Sequence, residues 1–174
     1  MKHLIISIFI CCIATSVAHA QHDAIPPTDE FNITGAVKHT LKFSLKDLLT
    51  FHQDSLGDLV IKNKRGEDKS TAKNMKGVLL KTVLDSAHIY AEKPKEFSEY
   101  IITLIASDNY KNVYSWNELF NTDIGKHVYI ITEMDGKSIT EMPDRILVLS
   151  LSDFNSGRRH LKGLTTINVK KIDQ

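Results

Sequence analysis

A cluster of basic side chains near the carboxyl-terminal end of the chain has the clearest chemical meaning. Guanidinium and ammonium groups beside exposed backbone amides bind phosphate or pyrophosphate. Gly157 and Gly163 lie in the same stretch and allow backbone amides to approach a bound group closely. The alternative is a solvated basic loop whose charge is balanced elsewhere. The basic residues are Arg145, Arg158, Arg159, Lys162 and, when protonated, His160.

A second cluster, Ser107–Tyr110, follows an apolar, β-branched run over Tyr100–Ala106 that predicts a strand buried on both faces. The carboxylate of Asp108 can accept hydrogen bonds from the amino edge of a flat heterocycle. Tyr110 or Trp116 can pack on the face of such a ring. The alternative is an ordinary Asp-Asn turn beside core aromatics.

Other catalytic and metal-binding patterns are absent from the sequence. No two histidines beyond residue 20 have the spacing of two, three or four residues that pairs metal ligands on one strand or helix face. The sequence has no H-E-x-x-H, C-x-x-C, G-x-S-x-G, G-x-G-x-x-G or G-x-x-x-x-G-K-[ST] motif. We therefore expect no protein metal site and no catalytic residue of these classes.

The first twenty residues have the pattern of a signal peptide. Lys2 precedes an apolar run over Leu4–Val17, and Ala18–Ala20 supplies a small-x-small cleavage site. A membrane anchor and lipidation at Cys11 or Cys12 are the alternatives. The pattern predicts a periplasmic or secreted protein with no transmembrane segment after cleavage, followed by a polar linker without a packed role over residues 21–30.

Cleavage after residue 20 leaves a neutral chain without thiols. The basic residues fall from 22 to 21 through the loss of Lys2, and they equal the 21 acidic residues. This balance argues against a nucleic-acid partner. Both cysteines of the sequence lie in the leader, so the mature domain has no thiolate to bind a metal and no disulfide.

Hydrophobic patterns predict short elements over the rest of the chain. Strands are predicted over residues 31–37, 59–61, 100–106, 128–133, 146–151 and 164–172. Short helices are predicted after Ser44 and Ser115, each a suitable N-cap, and between Val78 and Ala91. The charged segment Lys62–Lys76 is predicted to be a loop, and Asp135-Gly136 a hairpin turn.

The predicted fold class is α+β, with a mixed, mainly antiparallel sheet and short helices in one domain over residues 31–174. Strands dominate the pattern, and the helices are short and interspersed between them. The sequence contains no internal repeat or low-complexity tract.

Taken in order, several segments resemble the oxidoreductase molybdopterin-binding domain, the fold of sulfite oxidase and its bacterial relatives. The resemblance runs from about Phe31 to Ile172 and rests on the order and spacing of its pieces. It implies that the arginine after the Pro-x pair and the lysine of the final loop, here Arg145 and Lys162, bind the phosphate and pterin ends of molybdopterin. The pieces are Ile33–Val37, Phe43–Leu48, Lys76–Leu84, Ser107–Tyr110, Met134–Ile139, Pro143–Val148 and Arg159–Gly163.

The sequence departs from this family at the metal. Family enzymes bind molybdenum through a cysteine after the strand that is Leu59–Ile61 here, and this chain offers Lys62, Asn63 and Lys64 instead. An ammonium or an amide does not replace a soft thiolate ligand, so we expect no molybdenum. The loop over Leu149–Gly157 is also longer than that of the family.

These observations predict an exported, non-catalytic protein that binds a pterin or molybdopterin-like ligand. Arg145 and Lys162 would pair with an anionic group, Arg159 and His160 would flank it, and Asp108 would accept hydrogen bonds beside Tyr110. One alternative is an oxidoreductase subunit that carries molybdopterin without a cysteine ligand. The other is a ligand-free interaction module that presents Lys62–Lys76 to a periplasmic or membrane protein.

Overall fold

The computed structural model describes residues 25–172 and places them in two five-stranded sheets. All strand pairs are antiparallel except one, so the described chain has the mixed, mainly antiparallel α+β fold that the sequence predicts. Buried apolar side chains from both sheets form a single core cluster. The predicted signal peptide, residues 1–20, lies outside the described residues.

The first sheet has the strand order β2-β1-β10-β5-β6. Its strands are β1 (Glu30–Gly35), β2 (Leu41–Ser44), β5 (Tyr100–Ala106), β6 (Lys111–Ser115) and β10 (Leu164–Lys171). β1 and β10 form the one parallel pair, with Ile33 opposite Ile167. Alternate residues of β5 are buried and the residues between them are half-buried, so one face of this strand is less covered than its apolar run predicts.

The second sheet is antiparallel, with the order β3-β4-β7-β8 and β9 also paired with β7. Its strands are β3 (Asp54–Lys62), β4 (Asp68–Leu79), β7 (Val128–Met134), β8 (Lys137–Ser138) and β9 (Leu147–Ser150). Asp135 and Gly136 both have positive φ, 54° and 75°, at the turn between β7 and β8. The predicted Asp-Gly hairpin turn is therefore confirmed.

Three short α-helices connect the strands: α1 (Leu45–Leu48), α2 (Leu80–Ser86) and α3 (Trp116–Phe120). Ser44 with Asp47, and Ser115 with Glu118, form complete capping boxes. In each box two backbone N–H groups at the helix start are satisfied by side chains, and both predicted caps are confirmed. Further 3₁₀-helical turns lie at Pro94–Glu99, Asp123–Lys126 and Ser156–Arg159.

The prediction of a loop over Lys62–Lys76 is wrong, because this segment forms a long β-hairpin. β3 and β4 pair antiparallel, and the turn between them is held by the Asn63 side chain, which accepts from the backbone N–H groups of Arg65 and Glu67 at 2.8 and 3.2 Å. Most of β4 is exposed, so its sequence lacks the apolar alternation of a half-buried strand.

The helix between Val78 and Ala91 is shorter in the structure than the sequence predicts. Val78 and Leu79 belong to β4 and pair with Ile130 and Tyr129 of β7, so α2 begins only at Leu80. The strand β6 was not predicted, because its polarity does not follow its burial: Asn112 is buried and Val113 is exposed.

The described part of the predicted linker is packed against the domain, contrary to the expectation that it has no packed role. Thr28 donates from its backbone N–H to the carbonyl of Arg145 at 2.8 Å and from its hydroxyl to the carbonyl of Leu164 at 2.8 Å. The Ser107 hydroxyl donates to the carbonyl of Pro26 at 2.6 Å. No helix within residues 25–172 is long and apolar enough to span a membrane.

Candidate functional site: a cavity beside the final loop

A cavity of about 620 Å³ opens where the β3–β4 hairpin, the turn after β5 and the loop before β10 meet. Four of the six predicted site residues line it: Asp108, Tyr110, His160 and Lys162. They come from two segments that are distant in sequence and that β5 and β10 bring side by side. The remaining lining residues are Ile25, Pro27, Ile61, Lys69, Pro143, Asp144 and Gly157.

The turn that carries Asp108 is fixed by its own side chain. Asp108 Oδ1 accepts from the backbone N–H of Tyr110 at 2.9 Å, and Asn109 between them has a left-handed φ of 66°. The Tyr110 hydroxyl donates to the carbonyl of Arg158 at 2.5 Å. The second carboxylate oxygen of Asp108 makes no hydrogen bond within the described chain, which leaves it available to a bound molecule.

Gly163 joins the two halves of the cavity wall. Its carbonyl accepts from the backbone N–H of Ser107 at 2.8 Å, and its φ is +65°. A Cβ at this position would lie 2.6 Å from Ser107 Oγ and 2.7 Å from the carbonyl oxygen of Pro26. Glycine is therefore required here both by backbone conformation and by close approach.

The charge of Lys162 is already partnered within the cavity. Its Nζ lies 2.6 Å from Asp144 Oδ2, and both side chains are about two-thirds covered. Lys69, on β4, also lines the cavity and has no ion-pair partner among the described residues. Sequence reasoning missed Lys69 because its strand was predicted to be a loop.

His160 contributes a buried and unsatisfied nitrogen. Its Nε2 is inaccessible to solvent and has no hydrogen-bond partner within the described chain. Burial, reinforced by the nearby ammonium of Lys162, lowers the pKa of His160 from 6.5 to about 4. The imidazole is therefore neutral at physiological pH and holds a desolvated polar atom that lacks a hydrogen-bond partner in the described chain.

The lowered pKa of His160 predicts a specific loss of stability in acid. The unfolded chain binds a proton near pH 6.5 and the folded chain only near pH 4, so stability falls as the pH drops through this window. Between about pH 7 and about pH 5, the free energy of unfolding of the parent protein should fall by about 2 kcal/mol through His160. His160→Gln should not show this part of the loss. Urea unfolding at both pH values measures the difference, and equal pH dependence in the parent protein and the variant would contradict it.

The other two predicted residues lie outside the cavity lining. Arg145 Nε lies 2.7 Å from Asp29 Oδ1, and its guanidinium also faces the carbonyl of Thr140 at 3.4 Å. Arg159 lies over the ring of Tyr114, with 4.5 Å between the guanidinium carbon and the ring centroid. Trp116 stacks near-parallel with Phe97 and with Phe120, away from the cavity lining.

Arg159 instead anchors the loop that forms one wall of the cavity. Its guanidinium lies 3.2 Å from Glu118 Oε1 and 3.3 Å from Asp153 Oδ2, and all three side chains are mostly covered. Ser156 accepts from the backbone N–H of Lys62 at 3.2 Å and donates to the carbonyl of Val60 at 3.3 Å. The loop is thus fixed to α3 through Arg159 and to the edge of β3 through Ser156.

The donor set near β3 does not fit a thiolate-bound metal. The described residues include no cysteine, and none of their histidine and carboxylate side chains form a group of three that could hold a metal ion. Lys62 pairs with Asp68 at 3.9 Å, and Asn63 holds the hairpin turn. Of the three residues that the resemblance sets in place of the cysteine, Lys62 and Asn63 are therefore engaged in local structure.

No protein-family model matches the sequence, and no curated protein matches it either. A solved structure with a similar fold is the sulfane dehydrogenase SoxCD from Paracoccus pantotrophus. The TM-score is 0.60 at 15% identity, and the match covers 87% of this chain but 41% of that chain. The likeness therefore shows the fold and carries no residue role across.

Proposed function

We propose that the cavity binds a pterin-type heterocycle and that the protein acts as an exported, non-catalytic binding protein. The observation that carries the proposal is that His160, whose buried Nε2 has no partner in the described chain, lines the same cavity as Asp108 and Tyr110. The amino and ring N–H groups of a pterin match a carboxylate acceptor. A ring nitrogen or a carbonyl of the ligand matches the imidazole.

The charges of the cavity favour a ligand that carries both hydrogen-bond donors and at most one negative group. Two lysines, Lys69 and Lys162, face two carboxylates, Asp108 and Asp144, while His160 is neutral. Because Asp144 already pairs with Lys162, Lys69 is the cation that remains for an anionic substituent. A pterin with a single negative group can pair that group with Lys69 and donate from its amino edge to Asp108.

The lack of a cysteine ligand for molybdenum after β3 supports a role in ligand binding over a role in catalysis. Lys62, Asn63 and Lys64 offer no soft ligand, so the chemistry that molybdenum supplies in the resembling family has no anchor at these positions. Molybdopterin without a thiolate bond is the second candidate, and it is favoured by Lys69, which could hold the phosphate. The two candidates differ in whether molybdenum accompanies the pterin.

Titration of the full chain with pterin and with lumazine tests the ligand class. Lumazine carries an oxygen in place of the pterin 2-amino group, so it lacks the amino donor to Asp108 and keeps only ring N–H donors. We expect pterin to bind about tenfold more tightly than lumazine, the equivalent of one charge-assisted hydrogen bond. Asp108→Asn should abolish that preference, measured by calorimetry or by quenching of pterin fluorescence.

Matched variants separate the cavity from the rest of the surface. His160→Leu should lower pterin affinity about tenfold without lowering stability, because it removes a buried polar atom that has no partner. His52→Leu, at an exposed side chain, should leave binding unchanged. Lys69→Ala should weaken binding of pterin-6-carboxylate, and Lys73→Ala on the same strand should not. Equal affinity for pterin and lumazine in every variant would contradict the proposed function.

A further inference from the structure

We propose that a cationic surface around Phe154 docks an acidic protein. This surface, which we call the Phe154 surface, consists of Phe154, Lys64, Arg65 and Arg158. It lies beside the cavity but does not include the cavity residues that we assign to the ligand. The inference is therefore independent of the proposed function.

Phe154 is the most exposed large apolar side chain among the described residues, with 96% of its surface accessible. It is held in a fixed loop. Asp153, its neighbour in sequence, accepts from the Ser150 hydroxyl at 2.8 Å and pairs with Arg159 at 3.3 Å. An aromatic ring presented to solvent on a fixed backbone loses little conformational entropy on binding, as anchor residues of protein interfaces require.

The tip of the β3–β4 hairpin lies next to this loop. A Cβ placed on Gly66 would lie 3.6 Å from Oδ1 of Asn155, the residue that follows Phe154. Lys64 and Arg65 directly precede Gly66 and are exposed. Arg158, also exposed, donates from its backbone N–H to the carbonyl of Asn155 at 3.0 Å. All three exposed cations are therefore carried by backbone segments that lie beside Asn155, the residue that follows Phe154.

The cations of this surface are not neutralised locally. Lys64, Arg65 and Arg158 form no ion pair within residues 25–172, in contrast to Lys62, which pairs with Asp68 at 3.9 Å. Without the cavity residue Lys69, residues 62–68 carry three basic and two acidic side chains, and Arg158 adds a further positive charge. This local excess of positive charge is complementary to an acidic patch and would steer its approach.

The observations favour a protein over a membrane as the occupant. Binding in a lipid interface relies on a broad apolar face, whereas the exposed apolar area here is a single ring, with Val60 at 40% exposure nearby on β3. One aromatic anchor surrounded by arginine and lysine is the composition of a protein-interface centre and its polar rim.

Photocrosslinking in the cells that make the protein tests the proposal. The full chain is expressed with p-benzoylphenylalanine at position 154, or at position 90 as a control, because Tyr90 is an aromatic residue at 53% exposure outside the Phe154 surface. We expect one discrete adduct at position 154 and none at position 90. The double substitution Lys64→Glu and Arg65→Glu should reduce that adduct about tenfold, while Lys46→Glu should not.

The captured protein is then purified and titrated against the full chain. We expect an acidic partner whose Kd rises at least about tenfold between about 50 and about 300 mM NaCl and again on Phe154→Ala. Absence of an adduct at position 154, or an adduct that survives the charge reversal, would overturn the proposal. Binding to vesicles of 30% phosphatidylglycerol that is lost on Phe154→Ala would assign the surface to a membrane and would also overturn it.

Discussion

Replacing Gly157 with alanine is expected to destabilise the protein by about 3 kcal/mol and to eliminate measurable pterin binding. A Cβ at this position would lie 2.5 Å from the carbonyl oxygen of Lys62 and 3.4 Å from its carbonyl carbon. Both atoms belong to the backbone of β3, which pairs with β4. The loop must therefore move away from β3, and it carries Gly157 and His160 out of the cavity wall.

Urea unfolding and pterin titration of the same Gly157→Ala preparation measure the two effects together. Gly136→Ala is the matched control, because a Cβ there meets nothing within 4 Å and only the positive φ of 75° is strained. We expect a cost of about 1 kcal/mol for the control and unchanged pterin affinity. If the two variants have equal stability and bind pterin equally well, the loop does not form the wall of the binding cavity.

Arg159→Ala is expected to lower the free energy of unfolding by about 3 kcal/mol. Glu118 and Asp153 would then face each other without a cation, and both carboxylates are mostly covered. The ring of Tyr114, whose burial raises the pKa of its hydroxyl to about 12, would also lose the guanidinium stacked above it. This expected loss lies at the low end of the range for breaking a buried ion pair, because water still reaches all three charged side chains.

Two further substitutions isolate the cause of that loss. Arg159→Lys should recover only part of the stability, because an ammonium lacks the planar fork that contacts both carboxylates. Arg158→Ala, at the neighbouring exposed arginine without an ion pair, should change stability by less than about 0.5 kcal/mol. Equal effects of Arg158→Ala and Arg159→Ala in urea unfolding would contradict the structural role of Arg159.

The features that the sequence predicts correctly are those that depend on neighbours in the chain. The capping boxes at Ser44 and Ser115 and the Asp135-Gly136 turn need only residues within three positions of one another. The turn at Asp108 is also local, because its carboxylate binds the backbone of Tyr110. Such motifs have one low-energy backbone geometry whatever surrounds them.

The features that were missed depend on tertiary contacts. β4 is exposed along most of its length, so pairing with β3 and β7 forms the strand without an apolar pattern in the sequence. The pairing of Lys162 with Asp144, and of Arg159 with Glu118 and Asp153, depends on the folded loop. Clustering of basic residues in sequence therefore did not reveal that these cations neutralise carboxylates of the same chain.

The most direct measurement of the central claim is the pterin content of the full chain recovered under native conditions from the cells that make it. Heat-released material is oxidised and its pterin fluorescence is quantified, and molybdenum is measured in the same sample. The account predicts about one pterin per chain without molybdenum, as expected for one preformed cavity. Pterin together with stoichiometric molybdenum would contradict the non-catalytic role, and the absence of pterin would contradict the assignment of the cavity.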